Sequence, residues 1–193
     1  KGMSNARTWI FRGLVLAAAA LFLFSWFQPW WTAYVVELKV TAINIYAYGL
    51  ESFIPIEYQN WIVGYDSAMP AWFTPFMWAY LVICMLILGY SLFASSEKGI
   101  SLGKFRMSMP TLLTAGVGLS VIGVCIIGII VILMNLEQFY GAPLNGTITI
   151  DMGDPYQSDV DTALLPGYYL LGATGVLLLV LAVVRQFIVG KSK

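Results

Sequence analysis

Four acids, Asp151, Asp154, Asp159 and Asp161, crowd into the run DMGDPYQSDVD, with Glu137 not far upstream. Clustered carboxylates are the ligands that a hard cation such as Ca²⁺ takes, but their spacing matches no EF-hand loop. The run therefore reads first as a solvated acidic loop and only second as a Ca²⁺ candidate. Glu51, Glu57 and Asp66 lie among aromatic residues and are the other carboxylates from which an exposed acid–base site could be built. Asn145-Gly146-Thr147 is an acceptor sequence for N-glycosylation. Histidine is absent, which removes the commonest metal ligand and the usual proton shuttle near neutral pH. Cys84 and Cys125, the two cysteines, both fall in apolar runs and read as packing residues rather than a disulfide framework. No Ser-His-Asp set, metal cluster, phosphate loop or dinucleotide fingerprint is present. The reading is a protein that is not an enzyme, holds no cofactor and has no nucleic-acid partner.

The solvent around this chain explains that poverty of chemistry. Of its 193 residues 60% are hydrophobic and 10% charged, and the mean hydropathy is +0.81. Soluble domains carry about 25% charged residues, so this much apolar surface calls for a lipid bilayer. Four apolar runs are long enough to cross one, since about 20 residues suffice. They place helices at about 9–31, 72–94, 110–134 and 165–188, in a single integral membrane domain covering 1–193. The first run follows a basic start but ends in Trp30-Trp31 rather than at a small-residue cleavage site, so it reads as a retained helix and not a signal peptide. Pro75 and Pro110 sit near helix starts, where a missing N–H costs little.

Between the helices lie two long segments, 32–71 and 135–164, and a short one, 95–109. Val36, Leu38, Val40 and Ala42 alternate with Glu37, Lys39 and Thr41, the period of a half-buried strand. One or two strands are expected between Tyr34 and Tyr48, with room for one more short strand before residue 71. Thr147-Ile148-Thr149-Ile150 alternates in the same way.

Orientation follows from counting. Lys1, Arg7, Arg12, Lys98, Lys104, Arg106, Arg185, Lys191 and Lys193 fall on one side of the four helices, and Lys39 alone on the other. Nine of the ten acids, all but Glu97, accompany Lys39. The positive-inside rule then puts both termini in the cytoplasm and the two long loops outside, in the cell (plasma) membrane. Arg12 and Arg185, near cytoplasmic helix ends, are placed to snorkel towards water. The apolar helix cores hold no ionisable residue, which counts against ion-coupled transport.

Small residues mark where helices approach closely in lipid. Gly116, Ser120 and Gly123 share one face of the third helix, Thr114 and Gly118 form a second pair, and Gly172 and Gly175 are counterparts on the fourth. The first face is expected to be a packing seam of the chain's own bundle, with self-association or contact with a partner helix as the other use.

The layout of four helices, both termini inside, a long first outer loop with strands and a shorter second one with a strand resembles the claudin and peripheral-myelin-protein tetraspans. Trp30, Trp31 and Trp61 stand where the tryptophans of the claudin signature W…GLW…C…C are sought, and no cysteine lies in either outer loop. The resemblance implies a small extracytoplasmic β-sheet built from loops 1 and 2, seated on a left-handed four-helix bundle. It also implies action through that sheet, as an adhesion, barrier or auxiliary subunit. The expected fold is thus an all-α transmembrane bundle bearing one small outer sheet. The expected function is non-catalytic protein–protein contact, as a homo-oligomer or in a hetero-complex. Tyrosine and tryptophan dominate binding hot spots, and Trp30, Trp31, Tyr46, Tyr48 and Trp61 are the interface candidates. An accessory subunit of a larger membrane enzyme or transporter, and an oligomeric channel or pore, are the alternatives.

Overall fold

Four uninterrupted apolar runs become four helices, and the computed structural model, which describes residues 2–53, 70–94, 99–102, 105–138, 141–151 and 157–189, shows where each begins and stops. Helix α1 covers Gly2–Phe27, α2 Phe73–Phe93, α3 Met109–Gln138 and α4 Pro166–Val189. Each is long and apolar enough to cross a membrane. Pro166 opens α4 and Pro110 is the second residue of α3, in the first turns where the ring is tolerated.

Three helix boundaries differ from the sequence expectation by more than a residue, the first being the start of α1, at Gly2 rather than about residue 9. Helix α1 ends at Phe27, not Trp31, because Gln28 precedes Pro29 and a residue before proline is driven out of the helical region. Helix α3 runs past Met134 to Gln138, adding a turn whose Leu136 is buried one turn beyond Ile132.

Five strands form one antiparallel sheet: β1 Trp31–Val35, β2 Val40–Tyr46, β3 Gly49–Ser52, β6 Gly146–Asp151 and β7 Gln157–Leu164. Their order is β3-β2-β1-β7-β6, so strands from both long segments meet at β1 and β7. That pairing runs from Trp31↔Leu164 to Val35↔Val160. The strand expected at Thr147–Ile150 is β6. The expected acidic loop is in part a strand, since β7 carries Asp159 and Asp161. The reason is a second alternation that the charges masked: Ser158, Val160 and Thr162 are buried, while Asp159 and Asp161 point the other way. The short segment between α2 and α3 also holds a hairpin, β4 Gly99–Leu102 with β5 Phe105–Ser108, where only a loop was expected.

The chain divides into two compact units, one formed by 1–24, 79–125 and 170–193, the other by 25–78 and 126–169. In the first, the buried positions recur every three or four residues. They are Phe11, Val15, Ala18 and Phe22 on α1, Leu81, Cys84 and Leu88 on α2, Val117, Val121 and Cys125 on α3, and Leu171, Leu178 and Leu181 on α4. The buried hydroxyls of Ser91, Thr114 and Thr174 bond to carbonyls of their own helices at 2.7–2.8 Å, so burial leaves none of the three unpaired. The opposite helix faces expose Leu16, Val82, Ile83, Leu86, Leu119 and Val183, as helices bathed in lipid would.

The second unit has its own core under the sheet. Trp31, Ala33 and Val35 of β1, Ala42 and Ile43 of β2, and Val160 of β7 pack with Ile132 and Leu136 of α3. A bulge makes the consecutive burial of Ala42 and Ile43 possible: Ala33 pairs with Ile43 and Tyr34 with Thr41, and Ala42 is the extra residue.

Candidate functional site

The chain leaves α1, turns at Pro29 and enters the middle of the sheet through Trp30 and Trp31. Trp31 is 1% exposed, and its indole N–H donates to the Leu144 carbonyl at 3.0 Å. Trp30 is 3% exposed, donates to the Ser25 carbonyl at 3.3 Å and meets Tyr168 edge-on at 6.1 Å. Its ring covers Gly128, where a Cβ would lie 3.2 Å from it. Both tryptophans are therefore junction and core residues of this chain, which corrects their expected place at an interface: each ring is already covered from within.

Tyr46 and Tyr48 fare differently. They stack on each other at 5.3 Å, Tyr48 stacks on Trp78 at 5.3 Å, and Trp78 meets Phe27 at 6.0 Å. The result is a continuous aromatic column from the β2–β3 turn to α2 and the end of α1. Both tyrosines are half-buried, and partial burial, aided by Glu51 and Tyr46, raises the pKa of the Tyr48 phenol. Phe53, Trp72 and Phe76 are exposed. Trp61, Glu57 and Asp66 lie outside the described residues.

The carboxylates are tied to the sheet. Across β6 and β7, Thr147 stands opposite Asp161 and Thr149 opposite Asp159. Each threonine hydroxyl donates to the carboxylate facing it, Thr149 to Asp159 at 2.7 Å. Asp151 closes β6, and Asp154 lies outside the described residues. Among the described residues no group of three or more His, Cys, Asp or Glu side chains gathers in a manner suited to a metal ion. Asn145 is exposed, and its Oδ1 accepts the Leu164 N–H at 2.7 Å, so the acceptor asparagine also fastens the end of β7.

Glu37 was not singled out by its sequence context, yet it bridges the sheet. Its carboxylate accepts from the Ser158 hydroxyl and from the Asp159 N–H at 2.9 Å. These bonds hold its pKa below the ordinary value. Only the pairing of β1 with β7 brings residues 37 and 158 together, and no local motif announces it.

Between the helices, the small residues sort into two faces. A Cβ on Gly118 would lie 3.0 Å from the Gly175 carbonyl oxygen and 3.0 Å from Leu178 Cβ. One on Gly175 would lie 2.8 Å from Ile122 Cγ1. Gly172 is looser, with the Cys125 sulfur at 4.0 Å. At Gly116 and Gly123 no atom of the described residues outside the glycine's own stretch of helix lies within 4 Å of the added atom. The close glycine contact within the chain is thus Gly118 against Gly175, one of the two expected counterparts on α4, and Gly116 and Gly123 take no part in it. Of their face Ser120 makes a helix–helix bond, to the Tyr80 hydroxyl at 3.1 Å.

Arg185 is also corrected. Instead of snorkelling it is buried, its guanidinium 5.2 Å from the Phe11 ring and bonded to the Ser108 hydroxyl, which meets Thr111 at 2.9 Å. Arg12 lies 5.1 Å from the exposed Trp9 ring.

No protein-family model, curated protein or solved structure matches the chain. Fold and surface together define a class in coarse terms: four helices long and apolar enough to span a membrane, and one five-stranded antiparallel sheet.

Proposed function

We propose that this chain is a non-catalytic integral membrane protein that presents its sheet outside the cell membrane for contact with other membrane proteins or with further copies of itself. Both termini are then cytoplasmic, as nine of ten basic residues flanking the helices on one side require. The observation that carries the reading is the β1–β7 pairing, which locks segments about 130 residues apart into one surface through five consecutive residue pairs. A surface pinned in that way keeps its shape without a partner, which lowers the ordering cost of binding one. The claudin-like layout, with strands of both long loops in one sheet, is part of this proposal.

A second reading has its own observation. Gly116 and Gly123 offer close approach to a helix, and among the described residues a Cβ added at either would meet no atom within 4 Å beyond its own stretch of α3. That open face suits a companion helix, either of a larger membrane enzyme or transporter that this chain serves as accessory subunit, or of further copies surrounding a pore.

The deciding experiment is the mass of the native assembly in lipid nanodiscs, with every co-purifying chain identified. A defined homo-oligomer or hetero-complex is the expected result, and a stoichiometric cofactor-bearing companion would select the accessory role. A single species at the mass of one chain, 21.3 kDa plus bound lipid, would overturn the contact reading.

A further inference from the structure

The β1–β2 turn is made of the wrong residues for an idle turn. Chains usually reverse with Gly, Asn, Asp, Pro or Ser, which suit the backbone or bond to it. Here the four residues between Val35 and Val40 are Val36, Glu37, Leu38 and Lys39. Lys39 takes φ of +53°, a left-handed position where glycine or asparagine is usual and a lysine is disfavoured. Val36, Leu38 and Val40 are 38%, 53% and 40% exposed, so the alternation that reads as a buried strand face instead crosses the turn and points outward. The turn lies at the end of β1 remote from Trp31, where β1 meets the start of β7.

Charge says what could cover it. Lys39 is the only basic residue in segments 28–72 and 139–165, which hold eight acids. Glu37 sits two residues before it on the same turn, kept anionic by the Ser158 hydroxyl and the Asp159 N–H. A patch with one acid, one base and a leucine between them is self-complementary under a two-fold axis.

We propose that this turn docks on the same turn of a second copy, with Leu38 of each at the axis, Val36 and Val40 around it, and each Lys39 ammonium facing the other copy's Glu37 carboxylate. The contact rests on the reading that the sheet works by protein contact, and it names the partner and the residues. An anionic lipid surface suits the turn less well, since it could pair with Lys39 but would leave Glu37 facing like charge, whereas a second copy brings a Lys39 to each Glu37. Five residues a side make a small interface, well under the roughly 800 Å² per partner of a stable soluble complex. The contact therefore depends on the high local concentration that a shared membrane supplies.

The test uses the full chain in liposomes. Cys84 and Cys125 are buried, so Leu38→Cys introduces the reactive thiol for a short bis-maleimide, with Glu51→Cys on β3 as the exposed control. Dimers from Leu38→Cys and monomers from Glu51→Cys are expected; equal yields overturn the proposal. In a fluorescence-transfer titration Lys39→Glu replaces two attractions by two repulsions and should weaken association by about tenfold. Mixing Lys39→Glu chains with Glu37→Lys chains should restore it, because both pairs are then opposite in sign. Association of Lys39→Glu equal to the parent overturns the proposal. So does transfer of an environment-sensitive probe, attached through the Leu38→Cys thiol, into protein-free anionic vesicles without dimerisation. The first two arms leave Glu37 untouched, so they stand even if Glu37→Lys fails to fold. A native complex with an unlike protein and no cross-link from Leu38→Cys would defeat this proposal while leaving the broader contact reading in place.

Discussion

Glu37 joins parts of the chain that no short-range preference would unite, and it does so with a charge. Its two bonds, from the Ser158 hydroxyl and the Asp159 N–H, both favour the ionised carboxylate. The folded-state pKa is therefore below the ordinary 4.5. A group with a depressed folded pKa contributes stability above its unfolded pKa and loses it as the pH falls through the folded value. The stabilisation by Glu37 is thus present at neutral pH and disappears below 4.5. Glu37→Gln removes the charge at every pH. Tryptophan-emission melting in nanodiscs between pH 7 and pH 3 should show the variant melting lower than the parent at neutral pH, with the two curves converging in acid. A gap that stays constant across the range would mean that the carboxylate does not hold the sheet in this way. The other sheet acids, Asp159 and Asp161, are present in both proteins, so they cancel in the comparison.

At the scale of elements, the helix seam shows what spacing can and cannot decide. Gly116, Ser120 and Gly123 satisfy the small-residue rule as well as Thr114 and Gly118 do, and both sets lie on the same helix. Which face turns inward depends on where α4 brings Gly175, and that is tertiary information. The structure assigns the seam to Gly118 and Gly175, so Gly175→Val, which would force Ile122 aside, should lower stability by about 1–3 kcal/mol. Gly116→Leu and Gly123→Leu, facing open space, should leave the isolated chain within about 0.5 kcal/mol of the parent. Melting of all three in nanodiscs of one chain each checks the contrast, and the reverse order of damage would sink the assignment. The helices themselves were legible because lipid imposes a length and a composition on any span. Strand β6 was legible from its alternation. Strand β7 was not, because Asp159 and Asp161 on its outer face disguise the buried Ser158, Val160 and Thr162. The β1–β2 turn was hidden for the opposite reason: its aliphatic residues continue the strand pattern straight through the reversal. The interface candidates divided on burial, which a sequence carries only indirectly: Trp30 and Trp31 are buried, and Tyr46 and Tyr48 are half-buried.

For the molecule as a whole, the proposed orientation rests on a physical asymmetry that the fold makes sharper. Strands β1, β2, β3, β6 and β7 all come from the two segments that hold Lys39 as their one basic residue, while the hairpin β4–β5 comes from the segment with Lys98, Lys104 and Arg106. Lysine and arginine in short segments resist translocation, and in the proposed topology nine of ten share the hairpin's side. Inverting the protein would move all nine across the bilayer to gain the retention of one. The sheet should therefore lie outside the cytoplasm and the hairpin within it. Single cysteines at Glu51 and Lys104, with Cys84 and Cys125 buried in the helices, make this measurable with a membrane-impermeant maleimide on intact cells. Glu51→Cys should label at once, and Lys104→Cys only after the membrane is permeabilised. Labelling in the opposite order would invert the orientation and place the sheet among cytoplasmic partners. Labelling of both before permeabilisation would mean that the chain inserts in two directions, and the charge asymmetry would then not be what orients it.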